Sequence, residues 1–158
     1  MQKMTNLVEL VKNVVSEFGK RAGKKDIDLS MKSSECVIQV LADPDRITQV
    51  LSNLVDNAIK FTPGGGTVKI FLAVLKDSVE CEVRDNGVGI AHENINKAFE
   101  KFQQFSRIAG PGEKGLGLGL SIVRDIIGIH GGQIWIKSEL GRGTQVTFSL
   151  PLYRKKEE

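Results

Sequence analysis

The chain has 158 residues, which is enough for one domain with a sizeable core. Hydrophobic residues make up 41% of it and charged residues 26%, as in a soluble globular protein. The net charge of +3 is small and the basic residues are scattered apart from a tail at 154–156, which argues against nucleic-acid binding, while the absence of a long apolar run argues against direct membrane contact.

The two cysteines, Cys36 and Cys81, lie far apart in the chain, without a CxxC motif or a nearby histidine. This spacing argues against a disulfide or a metal site and predicts two buried thiols in a reducing compartment. No signal peptide is recognisable. We therefore expect a cytoplasmic location, either as a separate protein or as the cytoplasmic part of a membrane-bound one.

The first part of the chain predicts a helix, two short strands and a longer helix. Residues 5–19 place apolar side chains at helical spacing and end at a glycine. Alternating side chains predict strands near 27–31 and 36–41. Asp43-Pro44-Asp45 has the acidic cap and first-turn proline of a helix start, and residues 45–61 continue with an apolar stripe.

The rest of the chain predicts two pairs of strands separated by a third long helix. Pro63-Gly64-Gly65-Gly66 ends the middle helix. The predicted elements that follow are strands at 68–74 and 79–83, a helical piece at about 92–102, a polar segment at 103–114, a helix from about 115, and strands around 134–136 and 146–150.

Helices therefore fall early, in the middle and late, with paired strands between them. This order predicts an α+β fold: a two-layer α/β sandwich whose mixed, mostly antiparallel sheet of about five strands is covered on one face by about three helices. Without a repeat, a low-complexity stretch or a linker, residues 1–158 are expected to form a single domain with its core at about 5–152.

The middle helix carries two asparagines on one stripe. Asn53 and Asn57 lie four residues apart, so one side chain stands above the other, and Lys60 follows one turn later. A carboxamide oxygen is a suitable Mg²⁺ ligand, and a lysine ammonium suits phosphate. The stripe could hold a cation and its anion, although solvent-facing asparagines are the simpler interpretation of the helix alone.

Asp85-Asn86-Gly87-Val88-Gly89 follows directly after a predicted strand. A carboxylate at a strand end can accept a hydrogen bond from an exocyclic amine such as that of adenine. Glycines at 87 and 89 allow the backbone to approach a flat ring closely. A simple glycine turn after an edge strand explains the same residues, so both interpretations stay open here.

Two further glycine stretches have competing interpretations. Residues 110–115 spell GxGxxG, but a helical, polar segment precedes them where a dinucleotide site needs a buried strand, and the chain has no GxxxxGK[ST] motif. The glycines at 115, 117 and 119 either start a helix or offer backbone N–H groups to phosphates. Gly141-Arg142-Gly143-Thr144 by itself favours a hairpin turn.

Taken in order, these stretches resemble the catalytic ATP-binding domain of sensor histidine kinases, a member of the Bergerat-fold ATPase group that includes DNA gyrase B and MutL. NLVDNAIKFTPGGG resembles the N box of that family, RDNGVGI its first glycine box, FEKFQQF its phenylalanine box and GLGLGLSIV its second glycine box. HGGQIWIKSELGRGTQVTFSLP is similar to its closing strands. The resemblance runs from about Leu7 to Leu150.

The resemblance implies a role for each matching residue. Asn57 would ligate Mg²⁺, Asn53 would assist near the phosphates, and Asp85 would bind the adenine amine. The other implied ATP contacts are Lys60 on phosphate oxygens, Phe61, Gly87, Gly89 and Ile90 near the base, Phe102 at the start of the lid, Gly115, Leu116, Gly117, Leu118 and Gly119 at the phosphates, and Thr144 in the closing strands. Residues 103–114 would form the lid, from which Arg107 or Lys114 would reach the γ-phosphate.

Two departures from the family pattern bear on the reaction. Position 53 is Asn where the hydrolytic relatives carry a glutamate, and a carboxamide cannot accept a proton from water, which favours the kinase branch. His92 and His130 are the only histidines, and neither lies in the family's phospho-acceptor motif. The dimerisation helices that carry the acceptor are therefore expected on another segment.

The resemblance thus implies a domain that binds Mg-ATP and transfers the γ-phosphoryl group to a histidine of a dimerisation and phosphotransfer domain, with a response regulator as an indirect partner. The isolated domain is expected to be monomeric. Two alternatives stay open: a non-catalytic ATP/ADP-sensing module, and a serine kinase of the anti-sigma-factor type on the same fold.

Overall fold

The structure is a computed structural model that describes residues 1–99 and 117–154, without the side chains of residues 117–119. Its elements, in chain order, are β1 (Lys3–Asn6), α1 (Leu7–Lys24), β2 (Asp28–Ser33), β3 (Gln39–Ala42), α2 (Pro44–Phe61), β4 (Thr67–Val74), β5 (Ser78–Asp85), α3 (His92–Ile95), a 3-10 turn (Asn96–Phe99), α4 (Gly117–Ile129), β6 (Gln133–Glu139) and β7 (Gly143–Pro151).

The main sheet has five strands in the order β2-β4-β5-β7-β6. Strands β2 and β4 run parallel, whereas the other neighbours are antiparallel. A separate two-stranded antiparallel sheet joins β1 to β3. The predicted α+β sandwich with a mixed, mostly antiparallel five-stranded sheet and three long helices is confirmed.

The core lies between this sheet and the long helices. In β4 and β5 every second residue is buried, and the register pairs Ile70 with Val83 and Leu72 with Cys81 on the helix-facing side. Across from them, α2 presents its buried stripe, which includes Leu51 and Leu54. Because each fully buried side chain of this size contributes about 1.5–3 kcal/mol, this contact fixes the helix on the sheet.

Helix α2 begins as the sequence predicted. The Asp43 carboxylate accepts hydrogen bonds from the backbone N–H groups of Asp45 (3.1 Å) and Arg46 (3.3 Å), and Pro44 occupies the first helical position, where no N–H is needed. Such a cap contributes on the order of 1 kcal/mol. The start of α2 therefore has the local cap that its sequence predicts.

Three details differ from the sequence predictions. Helix α1 continues past Gly19 to Lys24, because Ala22 is buried in the core and Arg21 forms an ion pair with Asp56 of α2. Strand β1 was not predicted. The prediction of two buried thiols is wrong for Cys36, which is exposed in the connection between β2 and β3, and right for Cys81.

Within the described ranges, no helix combines the length and the apolar character that a membrane crossing requires.

Candidate functional site

The two asparagines of α2 lie beside its buried stripe and are both half-buried. Neither the Asn53 nor the Asn57 side chain has a hydrogen-bond partner among the described residues. Buried or half-buried amides normally find partners within the protein or in bound water and ligands. Two stacked carboxamides with unused oxygens therefore fit a hard cation such as Mg²⁺, which takes oxygen ligands.

Lys60, the third polar residue of the predicted stripe, forms an ion pair with Asp56 of the same helix. Its Nζ lies 3.2 Å from the Asp56 carboxylate, which also forms an ion pair with Arg21 of α1. Lys60 is three residues from Asn57, so its ammonium can reach either side of the helix end by rotation of its four-carbon stem. The ammonium has three N–H donors, so the predicted phosphate contact of Lys60 is compatible with its ion pair to Asp56.

Asp85 ends β5 on the helix-facing side of the sheet and is 8% exposed. One carboxylate oxygen, Oδ1, accepts hydrogen bonds from the backbone N–H groups of Gly87 (2.9 Å) and Thr144 (3.3 Å). The other, Oδ2, has no partner among the described residues, yet no fully buried polar side-chain atom there is unpaired, so Oδ2 keeps access to solvent. Burial raises the pKa of the Asp85 carboxyl to about 6, against the opposing effect of the two hydrogen bonds.

The loop after Asp85 joins the end of α2 to the turn between β6 and β7. Val88 donates its N–H to the Phe61 carbonyl (3.2 Å) and accepts from the Gly141 N–H (2.9 Å). A Cβ on Gly87 would lie 2.3 Å from the Phe61 carbonyl oxygen, so only glycine allows this approach. The close contact brings the loop after Asp85 against the C-terminal end of α2, about one turn beyond Asn57.

Ser138 of β6 closes this region from the other side. Its Oγ accepts a hydrogen bond from the Ile90 N–H (2.7 Å) and lies 2.9 Å from both the Gly143 carbonyl oxygen and the Thr144 hydroxyl. Thr144 is the register partner of both Ser138 and Asp85. The arrangement holds a buried acceptor, a glycine loop and a hydroxyl pair around one end of the sheet.

A family model described as "Histidine kinase-, DNA gyrase B-, and HSP90-like ATPase" matches residues 42–154, which include α2, the loop after Asp85 and the closing strands. The chain belongs to this family. The resemblance seen in the ordered motifs is thereby confirmed. The end of α2 and the glycine loop both lie within the matched residues.

Curated relatives and solved structures narrow the branch of the family. The chain is 37% identical over 146 residues to the adaptive-response sensory kinase SasA of Synechococcus elongatus, covering 92% of this chain and 37% of SasA. It is 37% identical over 123 residues to the sensor histidine kinase WalK of Bacillus subtilis, covering 77% of this chain and 20% of WalK. The chain thus spans well under half of the length of these relatives.

Among solved structures, the catalytic domain of histidine kinase ThkA superposes with a TM-score of 0.84 at 36% identity, covering 96% of this chain and 97% of that domain. Full-length ShkA in complex with AMPPNP superposes with a TM-score of 0.85 at 29% identity, covering 99% of this chain and 32% of ShkA. The chain therefore has the fold of histidine kinase catalytic domains.

The structure brings together part of the predicted site. Phe61, Asp85, Gly87, Gly89, Ile90 and Thr144 lie around the end of α2 and the adjoining strand ends, whereas Asn57 lies about one turn and Asn53 about two turns before that end of the helix. Phe99 is half-buried and stacks on Arg124 of α4, with the guanidinium carbon 5.6 Å from the ring centre. Phe102, Arg107, Lys114, Gly115 and Leu116 lie outside the described residues, and for Gly117, Leu118 and Gly119 the structure describes only the start of α4.

The sequence analysis missed Ser138. Its neighbours Ile134 and Ile136 alternate with it on the helix-facing side of β6, so a hydroxyl in that position breaks an apolar pattern. That break was the available signal. It indicates a polar group with a specific partner, because an unpaired hydroxyl on a core face is costly.

Proposed function

We propose that this chain binds ATP with Mg²⁺ and is the catalytic domain that delivers the γ-phosphoryl group to a histidine on a dimerisation domain. The observation that supports the proposal is the joining of the loop after Asp85 to the end of α2, the helix that carries the two unpartnered carboxamides, while one Asp85 carboxylate oxygen stays available. Membership in an ATPase family supports the same conclusion.

Each group has a distinct task in this proposal. Asp85 Oδ2 accepts a hydrogen bond from the adenine amine, while Gly87 and Gly89 keep side chains out of the space beside the base. Asn57 holds Mg²⁺ through its carboxamide oxygen, with Asn53 beside the phosphates. When bound, the ion would neutralise charge on the phosphates, which is one of the electrostatic contributions to phosphoryl transfer.

The same residues account for transfer in preference to hydrolysis. Neither Asn53 nor Asn57 can accept a proton, so these two positions offer no general base that would activate a water molecule at the phosphates. The proton of the acceptor histidine must then be taken up by a group of the segment that carries that histidine. Lys60 would donate another of its three N–H groups to a phosphate oxygen when nucleotide binds.

Calorimetric titration with ADP and a non-hydrolysable ATP analogue, each with and without Mg²⁺, tests this proposal. Wild type should bind both, and Asn57→Ala should lose the part of the affinity that depends on Mg²⁺. Gln49→Ala is the matched control, because it removes a carboxamide from the same helix two turns before Asn57. Wild type that binds neither nucleotide would refute the proposed function.

Phosphorylation of a supplied histidine phosphotransfer domain then separates the kinase from a domain that only senses nucleotide. Wild type should transfer phosphate from ATP to that domain, and Asn57→Ala should not. Binding of nucleotide without any transfer would favour the sensing module.

A further inference from the structure

The hydroxyl of Ser138 makes three close contacts at the end of β6. Its Oγ accepts from the Ile90 N–H at 2.7 Å and lies 2.9 Å from the Gly143 carbonyl oxygen and 2.9 Å from Thr144 Oγ1. A serine hydroxyl has one proton and two lone pairs. Three contacts therefore use its entire hydrogen-bonding capacity.

Only one assignment of donors and acceptors makes all three contacts of the Ser138 hydroxyl hydrogen bonds. The Ile90 N–H occupies one lone pair, and the Gly143 carbonyl can only accept, so Ser138 must donate to it. The remaining lone pair of Ser138 then accepts from the Thr144 hydroxyl. In this arrangement Thr144 has already used its proton, and its oxygen can offer only lone pairs to a ligand.

Thr144 and Asp85 form a register pair on the helix-facing side of the sheet, and the Thr144 N–H donates to Asp85 Oδ1. The oxygen that Asp85 has available, Oδ2, is also an acceptor when the carboxyl is ionised. Because the two residues are register partners, both acceptors belong to neighbouring positions of the sheet, and such a pair matches an exocyclic amine, which has two hydrogens to donate. The two acceptors oppose an oxo group, which also needs a donor.

We infer that Ser138 is a specificity-determining, positioning residue for the purine base: by holding the Thr144 proton, it makes the base site accept a 6-amino purine and disfavour a 6-oxo purine. The inference rests on the proposed nucleotide binding and adds to it a residue that does not touch the ligand. Loss of Ser138 frees the Thr144 proton, so Thr144 can turn and donate to an oxo group.

The test is the ratio of the affinities for ADP and for inosine diphosphate, measured by calorimetry with Mg²⁺ at about pH 8, where Asp85 is ionised. We expect Ser138→Ala to lower this ratio about 3- to 10-fold, the effect of one hydrogen bond, with a gain in affinity for inosine diphosphate. Ser138→Thr keeps the hydroxyl and should restore the ratio of the wild type.

Ser149→Ala is the matched control. Ser149 lies on β7, and its Oγ accepts from the Gln133 N–H of β6 at 3.2 Å, so the variant also removes a serine bond between these two strands, away from Thr144. The ratio of the two affinities in Ser149→Ala should equal that of wild type, because a general loosening of the two strands would weaken the binding of both nucleotides alike. If Ser138→Ala does not fold, Ser138→Cys fills the same space with a weak donor and should show the same lowered ratio.

The outcomes separate the two proposals. Wild type that binds neither diphosphate overturns the proposed function. Wild type that prefers ADP, together with an unchanged ratio in Ser138→Ala or an equal change in Ser149→Ala, overturns the role of Ser138 and leaves the proposed function intact.

Discussion

The imidazole of His130 links the end of α4 to Asp43, the residue that caps α2. Its Nε2 accepts a hydrogen bond from the Asp43 backbone N–H at 3.0 Å, and its Nδ1 lies 2.8 Å from the Ile126 carbonyl oxygen. Only the neutral tautomer with a proton on Nδ1 satisfies both contacts. The histidine therefore joins the helix that follows the second glycine box to the helix that carries the asparagines.

Replacement of His130 by alanine should lower the free energy of unfolding by about 1–3 kcal/mol, because the Asp43 N–H loses its acceptor and a half-buried ring is removed. Urea denaturation of wild type and variant measures this difference. His92→Ala is the control, since His92 is exposed and has no hydrogen-bond partner among the described residues. Equal effects of the two substitutions would contradict a linking role for His130.

The raised pKa of Asp85 predicts how stability depends on pH. The pKa of the carboxyl rises from 3.8 to about 6 on folding, because burial disfavours the charged form. A raised pKa contributes stability that is complete below the unfolded value and is lost as pH increases through the folded value. Wild type should therefore lose up to about 3 kcal/mol relative to Asp85→Asn between about pH 4 and about pH 7.

The comparison with Asp85→Asn isolates this contribution. The asparagine oxygen can still accept from Gly87 and Thr144, and every other titrating group is present in both proteins. Urea denaturation of both proteins across this pH range gives the difference directly. If the difference in unfolding free energy does not change with pH, burial does not raise the pKa of the Asp85 carboxyl.

The same carboxyl should also make nucleotide affinity depend on pH, but in the opposite direction: through this carboxyl the protein is more stable at low pH, whereas it should bind ADP more tightly at high pH. Asp85 can offer two acceptor oxygens only when it is ionised, so ADP affinity should fall as pH decreases through about 6. In Asp85→Asn the affinity should be low and should change less with pH than in wild type, because this carboxyl no longer titrates. Calorimetric titration at several pH values checks both curves, and a wild-type affinity without a step near this value would argue against Asp85 as the adenine acceptor.

The parts of the fold that the sequence predicted depend on short-range patterns. Helix α2 was predictable because its cap, its proline and its apolar stripe are all contained in residues 43–61. Strand β1 was not, since its residues become a strand only by pairing with β3, more than thirty residues later. Its four residues carry no alternation of their own that would distinguish them from the start of α1.

The same contrast holds for the candidate site. Asp85 and the glycines that follow it are adjacent in sequence, so their position at the end of a strand could be predicted from that order. Ser138 gains its partners only when the register sets β6 against Thr144 of β7 and brings the loop end at Ile90 alongside. Contacts of this kind depend on the packed sheet, so composition and periodicity do not reveal them.

Gly89 and Gly141 offer a test of how the glycine loop is held. Both have positive φ (76° and 81°), so any other residue is strained at either position. A Cβ on Gly89 would lie 2.0 Å from the Glu139 carbonyl oxygen, whereas a Cβ on Gly141 would meet nothing within 4 Å. The two positions thus share the same backbone strain and differ in steric overlap.

Gly141→Ala should therefore cost about 1–2 kcal/mol of unfolding free energy, the cost of a left-handed alanine. Gly89→Ala should cost at least about 2 kcal/mol more, because backbone atoms cannot move aside as the end of a flexible side chain can. The Gly89 variant should also bind ADP more weakly at temperatures where it remains folded. Overlap with the Glu139 backbone would shift the glycine loop after Asp85, which the proposed function places beside the base. Thermal unfolding and calorimetry measure the two effects, and equal stability losses at both positions would show that the loop is not held tightly against β6.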